Sequence, residues 1–234
     1  MLRALIEGIA AATPGQCAVC RAWPAQPVCE ACVARFAQPL PRCRRCALPV
    51  PGGVAECGVC LRAPPPLDAC HAAVTYGFPW SGLLSQFKFR GEAGWAATIA
   101  TLMRSAPWIE PALDQGDLVL PMPLAPRRLA ERGFNQALEL ARRLSPQKTD
   151  ARLLLRIRDT AQQSALERRD RLLNVKHAFA LDPLQAARVR GKRVVLVDDV
   201  MTSGSSLHAA ARVVRAGGAA HITALVFART DEPD

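Results

Sequence analysis

Residues 198–206 read Asp-Asp-Val-Met-Thr-Ser-Gly-Ser-Ser, two adjacent carboxylates followed at once by a small, hydroxyl-rich turn. The chemistry these types can do is specific. Backbone N–H groups at a helix start, with the hydroxyls of Thr202, Ser203, Ser205 and Ser206 and the close approach that Gly204 permits, favour a phosphate dianion. Asp198 and Asp199 repel that phosphate and suit neutral sugar hydroxyls or a magnesium ion instead. Acids for sugar hydroxyls beside a loop for a sugar phosphate describe a site for a ribose 5-phosphate. The bland alternative is an ordinary Ser/Thr cap on a helix at the end of a buried strand.

The second chemical pattern lies at the other end of the chain. Nine cysteines fall between Cys17 and Cys70, and eight of them form the pairs Cys17/Cys20, Cys29/Cys32, Cys43/Cys46 and Cys57/Cys60. A C-x-x-C pair makes a tight turn whose two thiolates share one ion, and two such turns complete a tetrahedral four-sulfur site. Four pairs therefore predict two structural zinc ions, with iron–sulfur clusters and redox dithiols as the alternatives. Spacers of 8, 10 and 10 residues allow neighbouring pairs to combine, as Cys17/Cys20/Cys29/Cys32 and Cys43/Cys46/Cys57/Cys60, or interleaved pairs to cross-brace. The successive arrangement is favoured. Cys70 is left over and reads as a small buried residue. This stretch is rich in Pro and Gly and poor in large apolar side chains, so metal must contribute to its folding.

The elements that must position these groups follow from hydrophobic pattern. Val194 to Val197 is a short buried-strand run ending in the two acids, and Leu207, Ala210, Ala211 and Val214 mark the helix after the loop, closed by Gly217-Gly218. Further strands are predicted over 72–78, 117–123 and 222–227, with helical patterns over 2–11, around Leu83, Leu84 and Phe87, from about Trp95 to Ser105, and from Phe134 to Leu144 with Phe134, Ala137, Leu138, Ala141 and Leu144 on one face. Leu124 to Arg132 reads as a long basic loop carrying Arg127, Arg128 and Arg132 at the carboxyl end of a strand, where open parallel sheets bind their ligands. Lys88-Phe89-Arg90-Gly91 sets two cations around an aromatic, or simply ends a helix. Leu155 to Asn174 reads as a mobile loop or hairpin followed by a short helix. Alternating strands and helices imply an α/β fold with a parallel sheet. Ala63-Pro64-Pro65-Pro66 reads as a stiff linker, which divides the chain into an N-terminal helix with a double zinc ribbon, 1–66, and a larger domain, 67–234.

The formal net charge is +10, and residues 147–193 carry twelve Lys/Arg against five Asp/Glu. Such a surplus suits a pyrophosphate or a nucleic-acid backbone. The cysteine-rich part gives no such signal, because eight thiolates around two divalent ions leave residues 1–70 slightly negative. The 5% aromatic content argues against extensive base stacking. No apolar run reaches the ~18 residues of a membrane span, and reduced cysteines imply a cytoplasmic setting.

Asp-Asp-x-x-Thr-x-Gly resembles the phosphoribosyl-pyrophosphate (PRPP) signature of type I phosphoribosyltransferases. Together with the four C-x-x-C pairs, Phe87-Lys88-Phe89-Arg90-Gly91, Pro121-x-Pro123-Leu124, Arg132-Gly133-Phe134-Asn135-Gln136 and Arg156-x-Arg158-x-Thr160-x-x-Gln163, it identifies the chain as a member of the ComF family. The resemblance implies a double zinc ribbon preceding a type I phosphoribosyltransferase-like parallel sheet with flanking helices. It implies that Asp198 and Asp199 hold the ribose hydroxyls, Thr202 to Ser206 the 5-phosphate, and Arg128, Arg132 and Lys88 the pyrophosphate with magnesium. It also implies that Arg156 and Arg158 close over the site as catalytic residues. Members are implicated in natural transformation, so single-stranded DNA and a DNA-uptake helicase are implied partners. Because no acceptor pocket is evident, three functions stay open: phosphoribosyl transfer supporting DNA uptake, non-catalytic single-strand binding, and small-molecule salvage.

Overall fold

The computed structural model describes residues 15–89, 93–157 and 178–231. They form two compact units, one up to Gln38 and one from Pro39 onward. The smaller unit is a cysteine-bearing turn followed by the helix α1, Glu30–Phe36. The larger begins with a second cysteine-bearing segment, which includes the short helix α2, Gly58–Arg62, and passes through Pro64–Pro66 into a parallel sheet.

That sheet has four strands: β1 (Ala69–Thr75), β2 (Leu118–Pro121), β5 (Arg193–Met201) and β6 (His221–Arg229). Their order is β1-β6-β5-β2, and every neighbouring pair is parallel. The central strands read as near-continuous apolar runs because helices cover both faces. In β6 all residues from Ile222 to Arg229 are buried. The helices are α3 (Trp80–Phe89), α4 (Trp95–Arg104), α5 (Ile109–Gln115), α6 (Pro126–Arg132), α7 (Gln136–Leu144) and α8 (Ser205–Ala216). A separate antiparallel pair, β3 (Leu154–Arg156) with β4 (Phe179–Leu181), sets Phe179 opposite Arg156.

Several expectations need correction. The strand carrying the acids does not stop at Val197 but runs to Met201, because β6 extends in register beside it, pairing Asp198 with Val226 and Met201 with Arg229. The basic stretch after β2 is a helix rather than a loop. Pro126 takes its first position, Arg127 pairs with Glu131 one turn on at 2.9 Å, and Gly133 closes it at φ 76°, in the left-handed region that glycine tolerates. The buried face of α7 contains Leu140 and Gln136, with Leu138 only partly buried. The first strand lies at 69–75 rather than 72–78. The helix expected at 2–11 lies outside the described residues, as do Arg90, Gly91, Arg158, Thr160, Gln163 and the arginines at 168–171.

The second cysteine group belongs to the core of the sheet unit. Cys43, Cys46, Ala47 and Cys60 are buried in one cluster with Leu67, Cys70, Leu196, Met201 and Val226. The Cys70 N–H donates to the Arg44 carbonyl at 2.7 Å, and Arg42 donates to the Thr75 hydroxyl at 2.8 Å.

Candidate functional site

The site forms at the carboxyl end of β5. Alternation along a strand sends successive side chains to opposite faces, so Asp199 is buried at 5% exposure while Asp198 is partly exposed. Lys88, near the end of α3, sets its Nζ 3.0 Å from Asp199 Oδ1. The other oxygen, Asp199 Oδ2, is buried and has no hydrogen-bond partner among the described residues. A buried carboxylate oxygen left open is costly unless something donates to it, which suits a sugar hydroxyl or a hydrated cation.

Although the Asp198 residue keeps part of its surface exposed, its carboxyl is enclosed by the site, and that desolvation first, then the neighbouring Asp199 charge, push it up to about 7, opposed by the Asp199 N–H, Lys88 and Arg132. That N–H donates to Asp198 Oδ1 at 2.9 Å. Arg132 is held by its neighbours, since its Nη1 donates to Gln136 Oε1 at 3.0 Å. Gln136 opens α7, whose cap is the Asn135 side chain accepting from Leu138 N–H at 3.3 Å while donating to the Met122 carbonyl at 3.1 Å. Phe87 of α3 meets Phe134 at 5.4 Å between ring centroids. The structure thus brings Lys88, Arg132, Asp198 and Asp199 together from three separate elements.

Beyond Met201 the chain makes the loop that opens α8. Gly204 sits at φ 76°, and a Cβ there would lie 2.4 Å from Met201 Cε and 2.9 Å from His208 Nε2. The positive φ favours glycine, and a Cβ there would force the Met201 and His208 side chains to give way. The hydroxyls of Ser203 and Ser205 are 2.8 Å apart, facing solvent at the N-terminus of a twelve-residue helix. This is a cradle of the size and polarity a phosphate needs. Burial, with Arg212 and Arg229, holds the His208 imidazole down to about 4, so it is neutral beside the loop.

Three expected arginines remain. Arg128 is on α6. Arg156 ends β3 with its guanidinium 5.5 Å over the Phe179 ring. Arg158 lies outside the described residues. Three residues with a role here escape sequence reasoning: Gln136, His208 and Arg229. Gln136 had a signal, as the last residue of Arg-Gly-Phe-Asn-Gln. Arg229 had only a faint one, a cation closing an otherwise apolar strand.

The eight paired cysteines form two groups, Cys17/Cys20/Cys29/Cys32 and Cys43/Cys46/Cys57/Cys60, each with its sulfurs within 4.8 Å of one another. Neighbouring pairs combine, and no interleaving occurs. Sulfur separations of 3.8 Å (Cys17–Cys32), 3.6 Å (Cys20–Cys29) and 3.7 Å (Cys46–Cys57) match the ~3.8 Å edge of a tetrahedron with metal–sulfur bonds of about 2.3 Å. Cys29 N–H donates to Cys17 Sγ at 3.4 Å and Cys57 N–H to Cys43 Sγ at 3.3 Å. Burial pushes the Cys17 thiol up, but N–H groups of Cys20, Cys29 and Val19 more than offset it and bring it to about 6. The donor set, its closure and its spacing fit a structural metal. Cys70 is outside both groups, with its sulfur 3.6 Å from Met201 Sδ.

Residues 129–233 match the phosphoribosyl transferase domain family. The chain is 33% identical over 226 residues to DNA utilization protein YhgH of Salmonella typhimurium, covering 93% of this chain and 98% of that one. It is 31% identical over 212 residues to competence protein F of Haemophilus influenzae, covering 86% and 90%. It is 30% identical over 161 residues to competence protein ComFC of Bacillus subtilis, covering 68% and 64%. At 33% and 31% identity over most of both chains, these likenesses show that the chain belongs to the ComF family of phosphoribosyltransferase-like proteins.

Proposed function

We propose that the carboxyl end of β5 binds PRPP with magnesium and that the chain serves single-stranded DNA uptake through this site. One observation carries the reading. Among the described residues Asp199 Oδ2 is buried without a hydrogen-bond partner, immediately before a loop whose Gly204 takes a positive φ. Asp198 and Asp199 accept from the ribose hydroxyls, and the N–H groups and hydroxyls of Thr202 to Ser206 take the 5-phosphate. Arg132 and Lys88 face the pyrophosphate, with Arg128 on α6 nearby in sequence. Arg156, at the end of β3, supplies a further cation to the bound ligand. Magnesium, bound with the pyrophosphate, supplies charge neutralisation for the leaving group. The protein orients C1 and excludes water as positive charge develops there. Both four-cysteine groups hold zinc as structural ions, in a cytoplasmic protein whose thiols stay reduced.

The names of the relatives, which speak of DNA utilization and competence, and the basic surplus of residues 147–193 favour a second reading. In it the same cleft holds a DNA backbone without turnover. Pyrophosphate release from PRPP in the presence of single-stranded DNA separates the two. Release that depends on Asp198 and Asp199 supports transfer. Salt-sensitive DNA binding with PRPP bound but intact supports the binding module. No thermal stabilisation by millimolar PRPP with magnesium overturns the site assignment itself.

A further inference from the structure

Arg229 closes β6 at the carboxyl edge of the sheet, paired in register with Thr75 of β1 on one side and Met201 of β5 on the other. It is 3% exposed. Its guanidinium makes no salt bridge among the described residues and is held almost wholly by backbone carbonyls. Nε donates to the Cys46 carbonyl at 2.9 Å. Nη1 donates to the carbonyls of Met201 at 3.2 Å, Thr230 at 2.8 Å and Thr202, and to the Thr230 hydroxyl at 3.1 Å.

Two of these partners matter together. Cys46 belongs to the second four-cysteine group. Met201 and Thr202 are the residues from which the phosphate loop springs, and Met201 Cε is the atom that crowds Gly204. One planar cation, 183 residues from Cys46 in sequence, therefore joins the metal turn to the backbone of the loop. A second contact, Cys70 Sγ to Met201 Sδ at 3.6 Å, runs alongside it. A buried guanidinium is stable only where something answers its charge. Four thiolates around one divalent zinc would carry a net charge of minus two, and Cys46, whose carbonyl accepts from Arg229 Nε, is one of the four residues that would hold it. Loss of the ion would free the turn that fixes its Nε.

We propose that Arg229 is a positioning residue through which zinc at Cys43, Cys46, Cys57 and Cys60 sets the affinity of the Thr202–Ser206 loop for a sugar phosphate. The proposal rests on the reading of that loop as a sugar-phosphate site. Coupling between two binding sites is reciprocal, so a sugar phosphate must tighten the same zinc ion by the factor that zinc tightens the sugar phosphate. The first group, Cys17/Cys20/Cys29/Cys32, lies in the other compact unit and provides an internal control.

The test uses the full zinc-loaded chain, with ribose 5-phosphate as probe, because it occupies the loop without chelating as pyrophosphate does. Zinc is partitioned at equilibrium against a chromophoric chelator, with and without saturating ribose 5-phosphate, and ribose 5-phosphate binding is followed separately by calorimetry. In the wild type, one of two zinc ions is expected to bind at least about fivefold tighter when the sugar phosphate is present, the lower end of ordinary coupling, while the other is unchanged. Arg229→Lys keeps the charge but cannot reach the Cys46 and Thr202 carbonyls with one rigid fork. It is expected to bind ribose 5-phosphate more weakly and to lose the zinc response. Ribose 5-phosphate that binds the wild type yet leaves both zinc affinities unchanged overturns the coupling and spares the site. Wild-type coupling in Arg229→Lys overturns the role of Arg229. No binding of ribose 5-phosphate to the zinc-loaded wild type overturns both the coupling and the reading it rests on.

Discussion

Asp198→Asn should change the pH dependence of ligand binding in a calculable way. The Asp198 carboxyl is pushed up to about 7 by burial and by Asp199. A group with that midpoint is about nine-tenths protonated at pH 6 and nine-tenths ionised at pH 8. If only the carboxylate accepts from the ribose hydroxyls, the apparent Kd for ribose 5-phosphate is raised about 11-fold at pH 6 and about 1.1-fold at pH 8, a difference of roughly tenfold. The phosphate of the ligand titrates in the same range, so the informative quantity is the difference between wild type and Asp198→Asn, measured by calorimetry across pH 5.5 to 8.5. The same group leaves a mark on stability without ligand. The folded protein retains the Asp198 proton where the unfolded chain, with an ordinary carboxyl near ~4, has released it. Stability therefore falls as pH rises between about 4 and 7, and Asp198→Asn should remove that part of the slope. The reasoning is refuted if the wild-type profile matches that of Asp198→Asn, or if its midpoint lies at or below pH 5.

Lys88→Met leaves Asp199, 8% exposed at its side chain, without its cation. Because Lys88 itself is 20% exposed, the expected loss is about 2–3 kcal/mol in urea unfolding at pH 8, and most of it should return when Asp199→Asn is added. Gly204→Ala must place a Cβ 2.4 Å from Met201 Cε at a positive φ. It should cost about 1–3 kcal/mol and abolish ribose 5-phosphate binding at millimolar concentration; a variant that binds as the wild type does would remove the loop from the site. Cys43→Ser and Cys17→Ser should each lower the zinc content from two ions to one by atomic emission. Only Cys43→Ser should depress the main calorimetric transition, by roughly 10 °C or more, because Cys43 is buried in the core of the sheet unit. Equal effects of the two on that transition would contradict the division into units.

What could be read from the sequence was whatever is local. The acids, the glycine loop and the start of α8 lie within nine consecutive residues, 198–206, and their chemistry is legible without knowing the fold. The cysteine pairs are likewise local, although their short spacers permit both the successive and the interleaved combination. Misreadings arose where a local signal was outweighed by another. Leu124 to Arg132 looks like a loop because of its arginines, although Pro126 and Gly133 are the start and stop of a helix. The reach of β5 past Val197 depends on the register of β6, which no window of sequence contains. The Lys88–Asp199 pair joins residues more than a hundred positions apart. Arg229 is the extreme case, since its meaning lies in the carbonyls of Cys46 and Thr202 rather than in any neighbouring side chain.

The central claim is that the carboxyl end of β5 is a PRPP site. Calorimetric titration of the zinc-loaded chain with PRPP and magnesium tests it most directly. The account predicts saturable one-to-one binding that disappears in the double variant Asp198→Asn, Asp199→Asn while that variant remains folded. Absence of saturable heat in the wild type at millimolar PRPP, or binding that survives unchanged in the double variant, would contradict it.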